Sequence, residues 1–171
     1  DKQSRVACET LVKNNTVVLA GEISSKASID HEKIARDVVK NIGYLDQELG
    51  FSHESFEFIN LLSQQSADIA KGISNLGSGD QGLMFGYACK DTDSLMPAPI
   101  HYSHQILLKM AELRKNGTRS EFEPDSKSQV TMLYQNGKPS KVTSVVVSTQ
   151  HKEGLTPDQI KEVVKPIVHE C

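Results

Sequence analysis

A chain of 171 residues is long enough to bury a core and to form one or two small domains. Its formal net charge of −3, with 5% aromatic residues and no tryptophan, excludes a broad basic footprint or a base-stacking platform for nucleic acid. No apolar run could span a bilayer, there is no signal-peptide core, and Cys8, Cys89 and Cys171 form no C-x-x-C, which fits free thiols in a reducing cytosol rather than a disulfide or zinc framework.

Residues 5–12 (RVACETLV) and 16–24 (TVVLAGEIS) are β-rich runs separated by Lys13-Asn14-Asn15, which predicts a hairpin. Asp30 is placed to cap a helix whose apolar face is Ile34, Val38 and Ile42, with Ala35 and Val39 beside them, stopping at Gly43. Residues 44–55 read as loop and Ser55–Leu62 as a strand. The polar run 63–79 is either a disordered connection or a functional loop.

Gly77-Ser78-Gly79-Asp80-Gln81-Gly82 matches G-x-G-x-x-G letter for letter. A dinucleotide-binding turn needs a strand before the glycines and a helix after them. Here a polar loop precedes and the short run Leu83–Ala88, read as a strand, follows; Asp80 would also repel a phosphate. The dinucleotide reading fails.

A helix then leads to Asn116-Gly117 through Ile106, Leu107, Met110 and Leu113, with Arg114 and Lys115 matching the negative C-terminal dipole. Arms 128–135 and 141–150 around Asn136-Gly137 predict a second hairpin. Thr156-Pro157-Asp158-Gln159 is a capping box opening the last helix, which Pro166 should bend or end. Hairpin-then-helix thus occurs twice, at 5–42 and 128–165, and suggests two domains of related α+β design.

Several side chains could carry chemistry. Glu22 and Glu9 sit in apolar β runs; either their face meets solvent or Arg5 or Lys13 neutralises them, or they hold a cation or amine. Asp80, between glycines, is either a ligand group on a tight turn or an ordinary turn residue. Asp125 and Lys127, two apart on entering a strand, point to one side, and either pair with each other or offer Lys127 to a phosphate. His101 and His104 have no matching cluster and read as polar surface residues.

Set together, a series of stretches resembles the S-adenosylmethionine synthase (methionine adenosyltransferase) family. They are RVACET at 5–10, AGEI at 20–23, NIGY at 41–44, QSADI at 65–69 and GSGDQGLMFGYA at 77–88. LMPAPI at 95–100, LRKNGT at 113–118, PDSKSQVT at 124–131 and STQH at 148–151 continue it in the family's order. The resemblance implies repeated two-layer α+β domains of mixed or antiparallel sheet with helices on one face. It divides the chain into an N-terminal domain at 1–63, truncated at its start, a gating loop at 64–79 and a central domain at 80–171. It implies a cytosolic transferase in which methionine sulfur attacks C5′ of ATP and the triphosphate is then split to pyrophosphate and phosphate. Positioning and charge neutralisation carry such a displacement, without an enzyme nucleophile.

Carried over residue by residue, Glu22, Gln65 and Asp80 would bind methionine, Glu22 through the ammonium group. Asp125, Ser126 and Lys127 would bind ATP, with Lys127 on the phosphates as the catalytic group, and Glu9 would serve a K+ site. Gln65, Ser66, Ala67, Asp68 and Ile69 would open the gating loop. Mg2+ and K+ would be the cofactors, and a homodimer or dimer of dimers with active sites between subunits the assembly, with no nucleic acid or membrane partner.

The chain departs from the family in places. The family's His-Pro-Asp-Lys segment, with a catalytic histidine and a magnesium ligand, and its downstream glycine-rich segment, with lysines, an arginine and a second magnesium aspartate, are absent. The gating loop is shorter, with Ala67 for a proline. Arg119-Ser120-Glu121-Phe122-Glu123 stands where Leu-Pro-Trp-Leu-Arg is usual. Asp1 in place of methionine, and the helical pattern at Val168–Cys171, lead us to expect a piece of a longer protein, inactive alone. The alternative is a non-catalytic interaction or regulatory subunit that kept the fold.

Overall fold

Asn14 and Asn15 make the turn that folds β1 (Arg5–Lys13) antiparallel onto β2 (Thr16–Ser24); Asn14 takes φ +51°, a left-handed value asparagine tolerates. This computed structural model describes residues 1–65 and 82–171, in two compact units, Asp1–Met84 and Phe85–Cys171. Ser66, Ala67, Asp68, Ile69 and Asp80, with the glycine-rich stretch up to Gln81, lie outside the described residues. Each unit is described by itself.

In the first unit, β3 (Glu57–Gln64) runs parallel to β2, giving a mixed sheet of order β1-β2-β3. Helix α1 (His31–Ile42) makes the crossover. Asp30 caps it by accepting from the Lys33 amide at 2.9 Å, and Gly43 closes it at φ +118°. Its buried residue is Val39, packed with Ala35 against Val17, Phe56 and Phe58. The predicted face of Ile34, Val38 and Ile42 is 42–52% exposed. Only the stripe through Ala35 and Val39 meets the sheet, and a step of one residue turns the helix surface about 100°. Arg36 ties α1 to the chain entering β3: it donates to the carbonyls of His53, Glu54 and Phe56, pairs with Glu32 at 2.6 Å and lies 4.3 Å from the centre of the Phe56 ring. The segment read as loop holds a short 3-10 turn, Gln47–Leu49, capped by Asp46.

The second unit pairs β4 (Phe122–Gln135) with β5 (Lys138–His151), antiparallel, around Asn136-Gly137 with φ +53° and +74°. Helices α2 (Ala98–Lys115) and α3 (Pro157–Glu170) cover one face of this hairpin. The core is Ile106 and Met110 from α2, Phe122 and Val130 from β4, and Val164 and Ile167 from α3. The predicted capping box forms at Thr156 and Gln159.

Three expectations are corrected. The run Leu83–Ala88 forms no strand: Met84 and Phe85 are 89% and 91% exposed, and no described strand runs beside them to complete a ladder. Pro166 does not end α3, because buried Val164 and Ile167 on either side hold the last turn through Glu170. Strand β4 begins six residues earlier than the pattern at 128–135, so Asp125, Ser126 and Lys127 lie within it. The α+β class, with mixed and antiparallel sheets and helices on one face of each, holds in both units. No helix among the described residues is long and apolar enough to cross a membrane.

Candidate functional site

The β1–β2 register decides where the acidic residues of the first unit go. Glu9 stands opposite Ala20 and Glu22 opposite Ala7, so both carboxylates project from one face as diagonal neighbours, on the order of 7–8 Å apart. Val17 and Phe58, which meet α1, alternate with them, so Glu9 and Glu22 occupy the face without a helix. Leu11, Val18, Ile59 and Leu61 share that face by the same register. Both carboxylates are exposed and neither is paired with a cation among the described residues, so Lys13 does not neutralise them. Gln65 follows directly after β3, and Ser63, in register with Glu22, donates to the Gly21 carbonyl at 3.5 Å.

Gly21 makes this arrangement possible. It holds φ +139°, and a Cβ there would sit 2.0 Å from the carbonyl oxygen of Ala7. Only glycine lets β1 approach so closely beside Glu22.

In the second unit the ladder is irregular where the site residues lie. Phe122 pairs with His151 and Ser126 with Thr149, leaving Glu123, Pro124 and Asp125 opposite Gln150 alone. Pro124, lacking an N–H, suits that unpaired position. From Ser126 on, side chains alternate: Ser126, Ser128 and Val130 face the helices, while Lys127 and Gln129 face out. The Ser126 hydroxyl is engaged with Thr149 Oγ1 at 2.7 Å, and Ser128 donates to the Ser103 carbonyl of α2 at 3.1 Å. Asp125 and Lys127 are exposed and make no ion pair with each other, which removes the paired alternative.

The structure thus brings Glu9 and Glu22 onto one sheet face, and exposes Asp125 with Lys127 on one strand, with the Ser126 side chain turned to the opposite face. Nothing in the residue pattern marks Thr149: counted outward from the Asn136-Gly137 turn, Val147 would stand opposite Ser126, and two irregularities in the ladder move the partner to Thr149. A groove of about 550 Å3 between β5 and α3, lined by Val145, Ile160, Val164 and Val168 among others, contains none of Asp125, Ser126 or Lys127. His101 accepts from or donates to Ser94 at 2.9 Å and stacks edge-on against Tyr102, consistent with a structural side chain.

Residues 1–67 match the family model of the S-adenosylmethionine synthetase N-terminal domain, and residues 75–171 that of the S-adenosylmethionine synthetase central domain. The S-adenosylmethionine synthase of Maricaulis maris (strain MCS10) is 56% identical over 178 residues, covering 99% of this chain and 45% of that protein. The S-adenosylmethionine synthase of Parvibaculum lavamentivorans is 55% identical over 176 residues, covering 98% of this chain and 45% of that protein. The chain therefore spans less than half the length of these relatives.

Proposed function

Because the chain belongs to the S-adenosylmethionine synthetase family, we propose that the protein it comes from makes S-adenosylmethionine from ATP and L-methionine. The methionine sulfur attacks C5′, the C5′–oxygen bond breaks, and tripolyphosphate leaves with the bonding pair as the sulfonium forms. Water then splits the tripolyphosphate into pyrophosphate and phosphate. The observation that carries this reading is the pair of domain matches, in order, over nearly the whole chain.

We assign the following tasks to residues of this chain. Lys127, exposed and without a carboxylate partner among the described residues, offers a point charge to the departing phosphates, with Asp125 on the same strand orienting the nucleotide. Glu22 offers an unpaired carboxylate to the methionine ammonium group, with Gln65 two residues past its β3 register partner Ser63 and Asp80 as a further methionine contact. Residues 64–79 act as the gating loop. Ser126, whose hydroxyl is turned away, would serve ATP through its backbone.

Glu9 is an exposed hard oxygen donor, the ligand type an alkali cation accepts, and we assign it to K+. Held there, K+ would supply positive charge on the sheet face that also carries Glu22. Mg2+ would be held largely by the phosphates of ATP with few protein carboxylates, and among the described residues no group of three His, Cys, Asp or Glu side chains comes together as a metal site. The apolar residues Leu11 and Leu61, 64% and 61% exposed on the helix-free sheet face, support a homodimer or dimer of dimers, with active sites between subunits. Free cysteines are in keeping with a cytosolic enzyme.

The test is turnover of ATP plus methionine by the full-length protein, read as S-adenosylmethionine, pyrophosphate and phosphate. Formation of all three is expected. A folded, pure protein that forms none of them would sink the reading and leave the non-catalytic subunit in its place.

A further inference from the structure

Glu123 is a half-buried carboxylate with no hydrogen-bond or ion-pair partner among the described residues. It lies in the unpaired stretch Glu123-Pro124-Asp125, two residues before Asp125 and four before Lys127. Its neighbour Glu121 differs, because Arg119 pairs with it at 3.6 Å. The outcome is a strand segment in which two uncompensated carboxylates, Glu123 and Asp125, stand beside one uncompensated ammonium, Lys127. Asp125 and Lys127 roughly cancel for a distant anion, and Glu123 is left over.

Resting on the reading that this segment holds ATP, we propose that Glu123 is an affinity-determining residue that weakens the grip of the Asp125–Lys127 strand on polyphosphate. Phe122 and Lys127 stand opposite His151 and Ser148, three residues apart on β5, so at about 3.3 Å per residue Glu123 lies within roughly 10 Å of Lys127 and nearer to Asp125. Those distances are comparable with the screening length of about 8–10 Å at ordinary ionic strength. The carboxylate therefore opposes a bound polyphosphate without touching it, and the opposition fades as salt rises. It acts equally on ATP and on the tripolyphosphate and pyrophosphate formed from it, so it raises KM for ATP and eases product release.

The probe is inorganic tripolyphosphate, titrated calorimetrically into the full-length protein at low and at high salt. Glu123→Gln should bind it about threefold more tightly at low salt, with the difference lost near 0.5 M salt, as expected for a partly screened charge at this range. Glu123→Asp, which keeps the charge, should match the parent, and Lys127→Ala should lose most of the binding. Equal affinity of Glu123→Gln and the parent at low salt, with Lys127→Ala weakened, overturns the role of Glu123 while leaving the functional reading intact. Unchanged binding by Lys127→Ala overturns the functional reading itself. Tighter binding by Glu123→Gln that persists at high salt also counts against the inference, since a packing change would behave so.

Discussion

Tyr134 donates its hydroxyl to the Asp91 carboxylate at 2.5 Å, fastening the far end of β4 to the segment that leads into α2. The same carboxylate oxygen accepts from the Ala98 amide, the first residue of α2, whose N-cap Pro97 has no capping side chain to offer. The bond pushes the Tyr134 phenol up to about 12 and, from the other side, lowers Asp91 below the ordinary carboxylate range.

That pair gives a pH signature. A phenol raised in the folded state adds stability that is fully present below its unfolded value near 10 and is lost as pH rises through about 12. A carboxylate lowered in the folded state adds stability that is present above its unfolded value and is lost as pH falls through the lowered one. Tyr134→Phe should therefore flatten the loss of stability on the alkaline side and raise the Asp91 titration toward normal. Denaturant midpoints from pH 8 to 12, with carboxyl titration by NMR, would read both changes.

Gly21→Ala should be among the most damaging single changes in the first unit. A methyl group placed 2.0 Å from the Ala7 oxygen, at φ +139°, forces β1 and β2 apart. A cost of about 2–4 kcal/mol is expected, from backbone strain and lost ladder bonds together. A urea midpoint within a few tenths molar of the parent would contradict this.

Ser126→Ala and Lys127→Ala should separate cleanly although the residues are adjacent. The Ser126 hydroxyl bonds Thr149 on the helix side, so its loss should cost about 1 kcal/mol of stability and leave KM for ATP close to the parent value. Lys127→Ala should fold as the parent does and lose turnover. Steady-state kinetics and thermal melts on both variants of the full-length protein decide it.

Ile106 is 2% exposed at the centre of the second core, between α2, β4 and α3. Ile106→Ala should cost about 2–5 kcal/mol, in the range for a buried aliphatic residue that leaves a cavity. Leu108→Ala on the same helix, 61% exposed, should change the melting temperature little.

Where periodicity and local chemistry agreed, the sequence was sufficient. Asp30, Gly43, Thr156 and Asn136-Gly137 each act through neighbours a few residues away, and each does so in the structure. The pattern misplaced what depends on distant partners. Ile34, Val38 and Ile42 repeat with helical spacing, yet which stripe of α1 is buried was set by Val17, Phe56 and Phe58. Leu83–Ala88 is apolar enough for a strand, but a strand exists only with a neighbour to bond. The grouping of Glu9 with Glu22 was legible once the hairpin was assumed, because a short turn fixes the register. The turn of Ser126 away from Lys127 follows from strand alternation, but its Thr149 partner depends on bulges that the residue pattern does not announce.

The interruption between Phe122 and Ser126 has a consequence for how such proteins diverge. Glu123, Pro124 and Asp125 have no individual partners in the ladder, so the sheet places few demands on what they are. A side chain exchanged there alters the charge beside Asp125 and Lys127 while Phe122 and Val130 go on holding the core. Mutational drift can thus change the surface charge at this point of the strand without first passing through a misfolded protein.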